Sequence, residues 1–229
     1  MNNLPKKILI FAAHHDDETI SCAGTIKKLS SLGVEITVVF ATDGSTGVDH
    51  TEKYESNIKS KRILEAEKVA KLLGIKKIIN WSQECQKFRN TKNNLHNAIK
   101  VIREVRPCII MTHSNHEKHR DHKNLSNLIV EAAWKSSEDI MPNLGKRHKV
   151  KDVWAFEVVD PLDRIDFCID ISNYIDVKLK AMKIYESQEN VVSGIIDYID
   201  GIAKVRGYEI GVKHAEAFKR IGVQPREVF

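Results

Sequence analysis

Short apolar runs alternating with amphipathic segments constrain this chain more than any other feature. Residues 7–11 (KILIF) are apolar over a length that suits a buried strand. Residues 19–32 then place Ile20, Ala23, Ile26, Leu29 and Leu32 at helical spacing, and Gly33 closes them. A β-branched run over 35–41 (EITVVFA) predicts a second strand. The polar stretch 42–55, with Gly44 and Gly47, reads as a loop at the mouth of a pocket. The pattern then repeats: a helix over 58–73 stopped by Gly74, a strand over 75–81, and a helix over 95–105. Pro107 leads into a strand over 108–111, and residues 121–134 read as a helix. Such alternation argues for a parallel sheet with helices on both faces, an α/β doubly wound arrangement, for which the common strand order 3-2-1-4-5 is the expectation. The second half is less regular. It predicts strands over 152–158 and 167–171, helices over 176–185 and 195–204, and a final short helix over 214–221. No repeat or low-complexity linker interrupts the chain, so the expectation is one domain over 1–229 with irregular C-terminal additions. Residues 136–151 form the one long excursion, expected as a surface loop beside the site.

Composition narrows the function. With 42% hydrophobic and 29% charged residues among 229, the chain is ordinary for a globular protein. Its four cysteines contain no CxxC pair, which excludes a cysteine zinc ribbon and argues against a disulfide scaffold. The net charge of +5 is modest, and aromatics are only 7%. The densest basic run, residues 146–151, lacks the interleaved aromatics of a nucleic-acid surface, so no nucleic-acid partner is expected. The apolar run 8–13 is far shorter than the roughly 20 residues of a membrane span. It ends in histidine and aspartate rather than a small-residue cleavage site. The expectation is therefore no integral membrane segment and a cytoplasmic location. Trp134 and Trp154 read as core residues, whereas Trp81 ends a strand on the ligand side.

Two polar clusters stand at strand ends, where open α/β sheets bind ligands. The first is His14-His15-Asp16-Asp17-Glu18, after the first strand. His14 and Asp17, three residues apart, suit one metal ion, zinc or ferrous iron, with Asp16 left beside it as a base. Acidic residues at a helix N-terminus account for Asp17 or Glu18, but not for the histidine pair. A dinucleotide-binding turn would need G-x-G-x-x-G, which AAHHDDET lacks. A receiver domain would want an aspartate ending the third strand, where Ile79-Asn80-Trp81 stands. The second cluster carries four of the ten histidines, His113, His116, His119 and His122, at every third position. A surface role accounts for His116 and in part for His113; the tight group His119-Arg120-Asp121-His122 is more specific. In the order 3-2-1-4-5, strands one and four are neighbours, so the clusters face each other across one crevice. His14, Asp17 and His122 then supply three ligands and leave a coordination position open, the pattern of a catalytic zinc site.

With both clusters in hand, the sequence resembles the LmbE-like, or PIG-L, family of metal-dependent N-deacetylases. That family's A-H-P-D-D-E motif is matched by Ala13-His14-His15-Asp16-Asp17-Glu18, and its H-P-D-H by His119-Arg120-Asp121-His122. Its R-x-x-E-A helix is similar to Arg62 through Ala66, and its D-I-S…K…Y-x-S-Q region to Asp170–Ser172, Lys178 and Tyr185–Gln188. Its closing R-G…A-E-A-F resembles Arg206-Gly207 and Ala215–Phe218. Proline gives way to His15 and Arg120, positions the family uses neither as ligand nor base. The expected consequences are a histidine at 15 that competes for the ion or titrates near neutrality, and a preference for anionic substrates from Arg120.

The resemblance implies a Rossmann-like fold and a hydrolase that removes acetyl from an N-acetyl amino sugar or glycoconjugate. It implies zinc, or ferrous iron, held by His14, Asp17 and His122, with Asp16 as the base. His119 corresponds to an imidazolium donor to the tetrahedral intermediate, and Asp121 to the group orienting an imidazole. Arg62 corresponds to a substrate-binding residue. Family members are often homo-oligomers, which extends to this chain as an expectation. Two other readings stay open here: an amidase acting on a non-sugar N-acyl substrate, and a non-catalytic, histidine-rich metal-binding protein.

Overall fold

A computed structural model describes residues 4–46, 57–188, 191 and 193–222. Four βα units run first: β1 (Lys7–Ala12), α1 (Asp17–Ser31), β2 (Glu35–Thr42), α2 (Ile58–Leu73), β3 (Lys77–Gln83), α3 (Lys92–Val105), β4 (Ile109–His113) and α4 (Arg120–Ser136). They are followed by β5 (Asp152–Phe156), β6 (Phe167–Asp170), α5 (Ile175–Ile184), α6 (Ile195–Glu209) and β7 (Ala215–Arg220). All seven strands join one sheet, ordered β3-β2-β1-β4-β5-β7-β6. The first five in that order are parallel, and β7 runs antiparallel to both β5 and β6. The expected order 3-2-1-4-5 is therefore present, extended by an antiparallel C-terminal edge.

Period-two alternation explains the two-sided core. Along β1, Ile8, Ile10 and Ala12 face one layer with α1 residues Ile20, Ala23 and Ile26 and α2 residues Ala66, Val69 and Leu73. Leu9, Phe11 and Ala13 face the other layer, against Ile99 and Ile102 of α3 and Leu125, Leu128 and Ile129 of α4. A strand buried on both faces must be apolar throughout, which is why KILIF reads as a continuous run. Among the described residues no helix is long and apolar enough to cross a membrane.

Three expectations need correction. The helix expected over 214–221 is instead strand β7, Ala215–Arg220. Ala, Glu and Lys favour a helix in isolation, but Ala217 packs with Ala155 and Leu162 on one face while Phe218 enters the main core on the other. Residues 136–151 lie at the far end of the sheet from the strand C-termini, because they join the end of α4 to the start of β5. There Arg103 donates to the carbonyls of Glu138, Ile140, Met141 and Gly145, and pins the loop to α3. Trp134 is 53% exposed with Lys135 over its ring, since the buried stripe of α4 closes at Ala132 and Ala133. Trp154 does pack on the core, and Trp81 lies against Phe11.

Helix α1 breaks its own ladder at Cys22 (φ −140°, ψ 23°). The amides of Gly24 and Thr25 donate instead to the two carboxylate oxygens of Glu216 on β7, at 2.9 and 2.7 Å. Lys178 on α5 completes the arrangement, donating to Glu216 Oε1 at 2.5 Å and to the Ser21 carbonyl at 3.1 Å. Both side chains are buried. Removing one member strands a charge in the interior, so Glu216→Ala should lose about 3–5 kcal/mol of stability in urea unfolding.

Candidate active site

β1 delivers the chain to Ala13 at the carboxyl end of the sheet, where it turns sharply into α1. The His14 amide donates to Asp17 Oδ2 at 2.7 Å and fixes that carboxylate at the start of the helix. Asp16 takes φ 140°, ψ −26°, a region that L-residues avoid. Across the crevice, β4 ends at His113, and α4 begins with His119 as its N-cap, the Asp121 amide donating to His119 Nδ1 at 3.1 Å.

Topology brings His14, Asp17 and His122 together. His14 Nδ1 lies 3.1 Å from His122 Nε2, and these nitrogens stand 3.4 Å from Asp17 Oδ2 and Oδ1 respectively. His14 Nε2 lies 3.2 Å from Asp121 Oδ2, whose other partner is the Gln86 amide at 2.7 Å. A carboxylate only accepts, so His14 Nε2 carries a proton, and Nδ1 is the nitrogen left to face His122 and Asp17. Burial alone would raise Asp121, but His14 and the Gln86 amide hold it below the usual carboxylate range, which keeps it an acceptor. Two imidazole nitrogens this close, with a carboxylate beside both, suit positive charge between them, whether a shared proton or a metal ion. Zinc bound at 2.0–2.1 Å spaces tetrahedral ligand atoms roughly 3.3 Å apart, which matches these separations. The buried His/Asp donor set therefore fits a metal ion. Among the described residues, three sets of donors gather within 4.8 Å of one another: His14, His119 and His122; Asp17, His113 and His122; and His14, Cys85 and Asp121.

The electrostatics agree. Burial opposes charge on Asp17, yet His122, His113 and His14 hold it well below the usual carboxylate range. Burial likewise opposes protonation of His14, and Asp17 and Asp121 overcome it. Asp16 behaves differently: burial pushes it up to about 6 against the restraining Arg62 guanidinium. Arg62, from α2, places Nη2 3.1 Å from Asp16 Oδ2 and donates to the His15 and Gly44 carbonyls. Gly44 has φ +65°, and a Cβ there would come within 2.7 Å of the guanidinium, so only glycine suits both turn and arginine. Glu18 supports the same turn from below. It accepts from the Asp16 amide, Thr19 Oγ1 and Tyr185 Oη, and burial raises it to about 7.

Several details depart from the sequence reading. His15 faces away from the crevice: its ring lies on Phe40, Nε2 meets Asn80 Oδ1 at 3.0 Å, and burial with the nearby Arg62 lowers it to about 4. It is neither a competing ligand nor a group titrating near neutrality. His119 is neutral as well, lowered to about 4 by burial and by His14 and His122. Its Nδ1 accepts from the Asp121 amide, so the proton sits on Nε2, and the Gln86 side-chain amide beside it meets that proton when its oxygen is turned toward the ring. Arg120 is exposed and does not line the cavity, whereas His116 is exposed beside Asp163 as expected. His113 is fully buried, accepting the Ala13 amide at Nε2 and stacking on His122 at 3.9 Å. Its place as the last residue of a buried strand was the available signal.

A cavity of about 490 Å³ opens over the cluster, floored by His14, Asp16, Asp17, Arg62, His119 and His122. Cys85 and Gln86 enter from the segment after β3, and Val158, Ile195 and Tyr198 form an apolar wall from β5's end and α6. No motif marked those residues in the sequence. Of the expected mouth loop, Gly44 and Ser45 are placed; Gly47 lies outside the described residues.

The model of the GlcNAc-PI de-N-acetylase family, PIG-L, matches residues 9–133, which carry both clusters. The chain belongs to the PIG-L family. It is 29% identical over 227 residues to the diacetylchitobiose deacetylase of Thermococcus kodakarensis, covering 93% of this chain and 82% of that protein. The inhibitor-bound N,N'-diacetylchitobiose deacetylase of Pyrococcus horikoshii superposes with a TM-score of 0.85 at 26% identity, over 95% of this chain and 84% of that one. GalB, the 4-carboxy-2-hydroxymuconate hydratase of Pseudomonas putida, shares the fold (TM-score 0.86, 23% identity, 98% of each chain). Family membership together with the buried cluster identifies a metal-dependent hydrolase of the deacetylase superfamily, which sets aside the metal-storage reading. Zinc titration should accordingly saturate at one ion per chain by mass spectrometry. His122→Ala should abolish that binding, and His116→Ala should leave it intact.

Proposed function

We propose that this chain is a zinc-dependent N-deacetylase that converts an N-acetyl amino sugar or glycoconjugate into acetate and the free amine. The observation that carries the reading is the convergence of His14, Asp17 and His122 at the floor of a cavity, with Asp16 beside them and outside the triad. Likeness to diacetylchitobiose deacetylases at 29% and 26% identity supports a small N-acetylglucosamine oligosaccharide as the substrate.

In this reading His14, Asp17 and His122 hold the ion, which supplies Lewis acidity toward the amide carbonyl and toward water. Nitrogen and oxygen ligands also suit ferrous iron. Asp16 accepts the proton of the attacking water, and the same carboxyl later delivers it to the departing amine nitrogen. His119 donates from Nε2 to the oxygen that gains charge, as a neutral imidazole whose tautomer is set by the Asp121 amide. Asp121 keeps His14 in the tautomer that presents Nδ1. Arg62 borders the cavity and is also spent on Asp16, so its proposed roles are to hold the base and to meet the substrate from one side.

Metal analysis combined with acetate release from a panel of N-acetylated amino sugars, chitooligosaccharides and non-sugar N-acyl amides tests the reading. Hydrolysis confined to the non-sugar amides would replace the proposed substrate class. Asp16→Asn should retain its metal and lose 10²–10⁴-fold in kcat; wild-type turnover by that variant would sink the base assignment. Because Asp16 must be ionised and sits near 6, activity should fall as pH drops through about 6. The guanidinium holds that carboxyl down, so Arg62→Gln should move the acid limb of the pH–rate profile to higher pH.

A further inference from the structure

Glu117 lies between β4 and α4, outside every motif considered above, and is buried. Its carboxylate accepts three successive backbone amides from the segment after β5: Val158 at 2.7 Å, Val159 at 3.1 and 3.2 Å, and Asp160 at 3.3 Å. Oε2 also stands 3.5 Å from His122 Nδ1, a buried ring nitrogen that makes no hydrogen bond in this structure. The opposite nitrogen, Nε2, is the one that faces His14 and Asp17. Three amide donors fix the carboxylate as an anionic acceptor, so the proton it meets on the imidazole belongs to Nδ1.

We infer that Glu117 is the positioning residue for the ligand His122: it holds the proton on Nδ1, presents the Nε2 lone pair to the metal, and ties that ligand to the cavity wall at Val158 and Val159. A histidine ligand whose second nitrogen donates to a fixed carboxylate is a better base and is locked in rotation, and loss of such a partner typically costs 10–100-fold in metal affinity. His14 and His122 are then held by separate carboxylates, Asp121 in the first turn of α4 and Glu117 in the loop before it. The inference rests on the reading of His122 as a ligand.

The test is zinc affinity, measured by competition with a chromophoric chelator, for the wild-type chain and Glu117→Gln. We expect the zinc dissociation constant to rise 10–100-fold in the variant. A purely structural brace would lower Tm and leave that constant unchanged, and that result would overturn the inference. Nitrogen-15 NMR of the zinc-loaded wild-type chain gives a second readout that does not require the variant to fold. His122 should show a protonated Nδ1 and a coordinated Nε2; coordination through Nδ1 would overturn the proposal. A wild-type chain that binds no zinc would bring down the metal-site reading and this inference with it, whereas binding indifferent to Glu117 removes only this one.

Discussion

Everything at the carboxyl end of this sheet is organised around one electrostatic conflict. His14 Nδ1 faces the imidazole of His122, 3.1 Å away, and the Asp17 carboxylate touches both. A buried arrangement of that kind is stable only with positive charge at its centre. Burial opposes protons on His14 and His122, but Asp17 holds both rings above the ordinary histidine range, so protons can supply that charge before an ion does, and the surroundings keep the donor atoms in place. Asp121 holds one ring, His113 stacks on the other, and the His14 amide clamps Asp17. A polypeptide that stacks this many groups against an uncompensated centre has left a place for a cation by construction.

Much of this was readable in the sequence because it is governed by short-range rules. Strands buried on both faces must be apolar without interruption, and helices facing a sheet must repeat at 3.6 residues. Both the boundaries of α2 and the order β3-β2-β1-β4-β5 follow from that. The clusters at His14–Asp17 and His119–His122 were visible because histidines and carboxylates crowd into two short segments. The unread parts depend on partners far away in sequence. Ala215–Arg220 becomes a strand only because β5 and β6 flank it. Gln86 and Glu117 matter through single contacts to Asp121 and His122, and no spacing announces such contacts. His15 looked like a ligand by adjacency, yet the turn sends its ring to Phe40.

The C-terminal half is less an appendage than a support for the first turn of the fold. Glu216 caps the amides freed where α1 breaks, Lys178 neutralises it, and Tyr185 reaches Glu18 just behind Asp16. The contacts of Glu216 to α1 and of Tyr185 to Glu18 connect residues 167–192 positions apart, so the geometry of the crevice depends on the completion of the whole sheet. A chain ending before β7 would keep both motifs and lose what aims them.

Asp16 occupies backbone torsions that cost a non-glycine residue about 1–3 kcal/mol. The turn is held there by Arg62, Glu18 and the start of α1. Glycine would sit at this position without strain, so the side chain central to the proposed chemistry is also the one the backbone would most readily give up. What retains it is its partner: glycine there would relieve the torsion but leave the buried Arg62 guanidinium without its carboxylate. The strain of the turn is therefore carried by an ion pair, and the two can only be lost together.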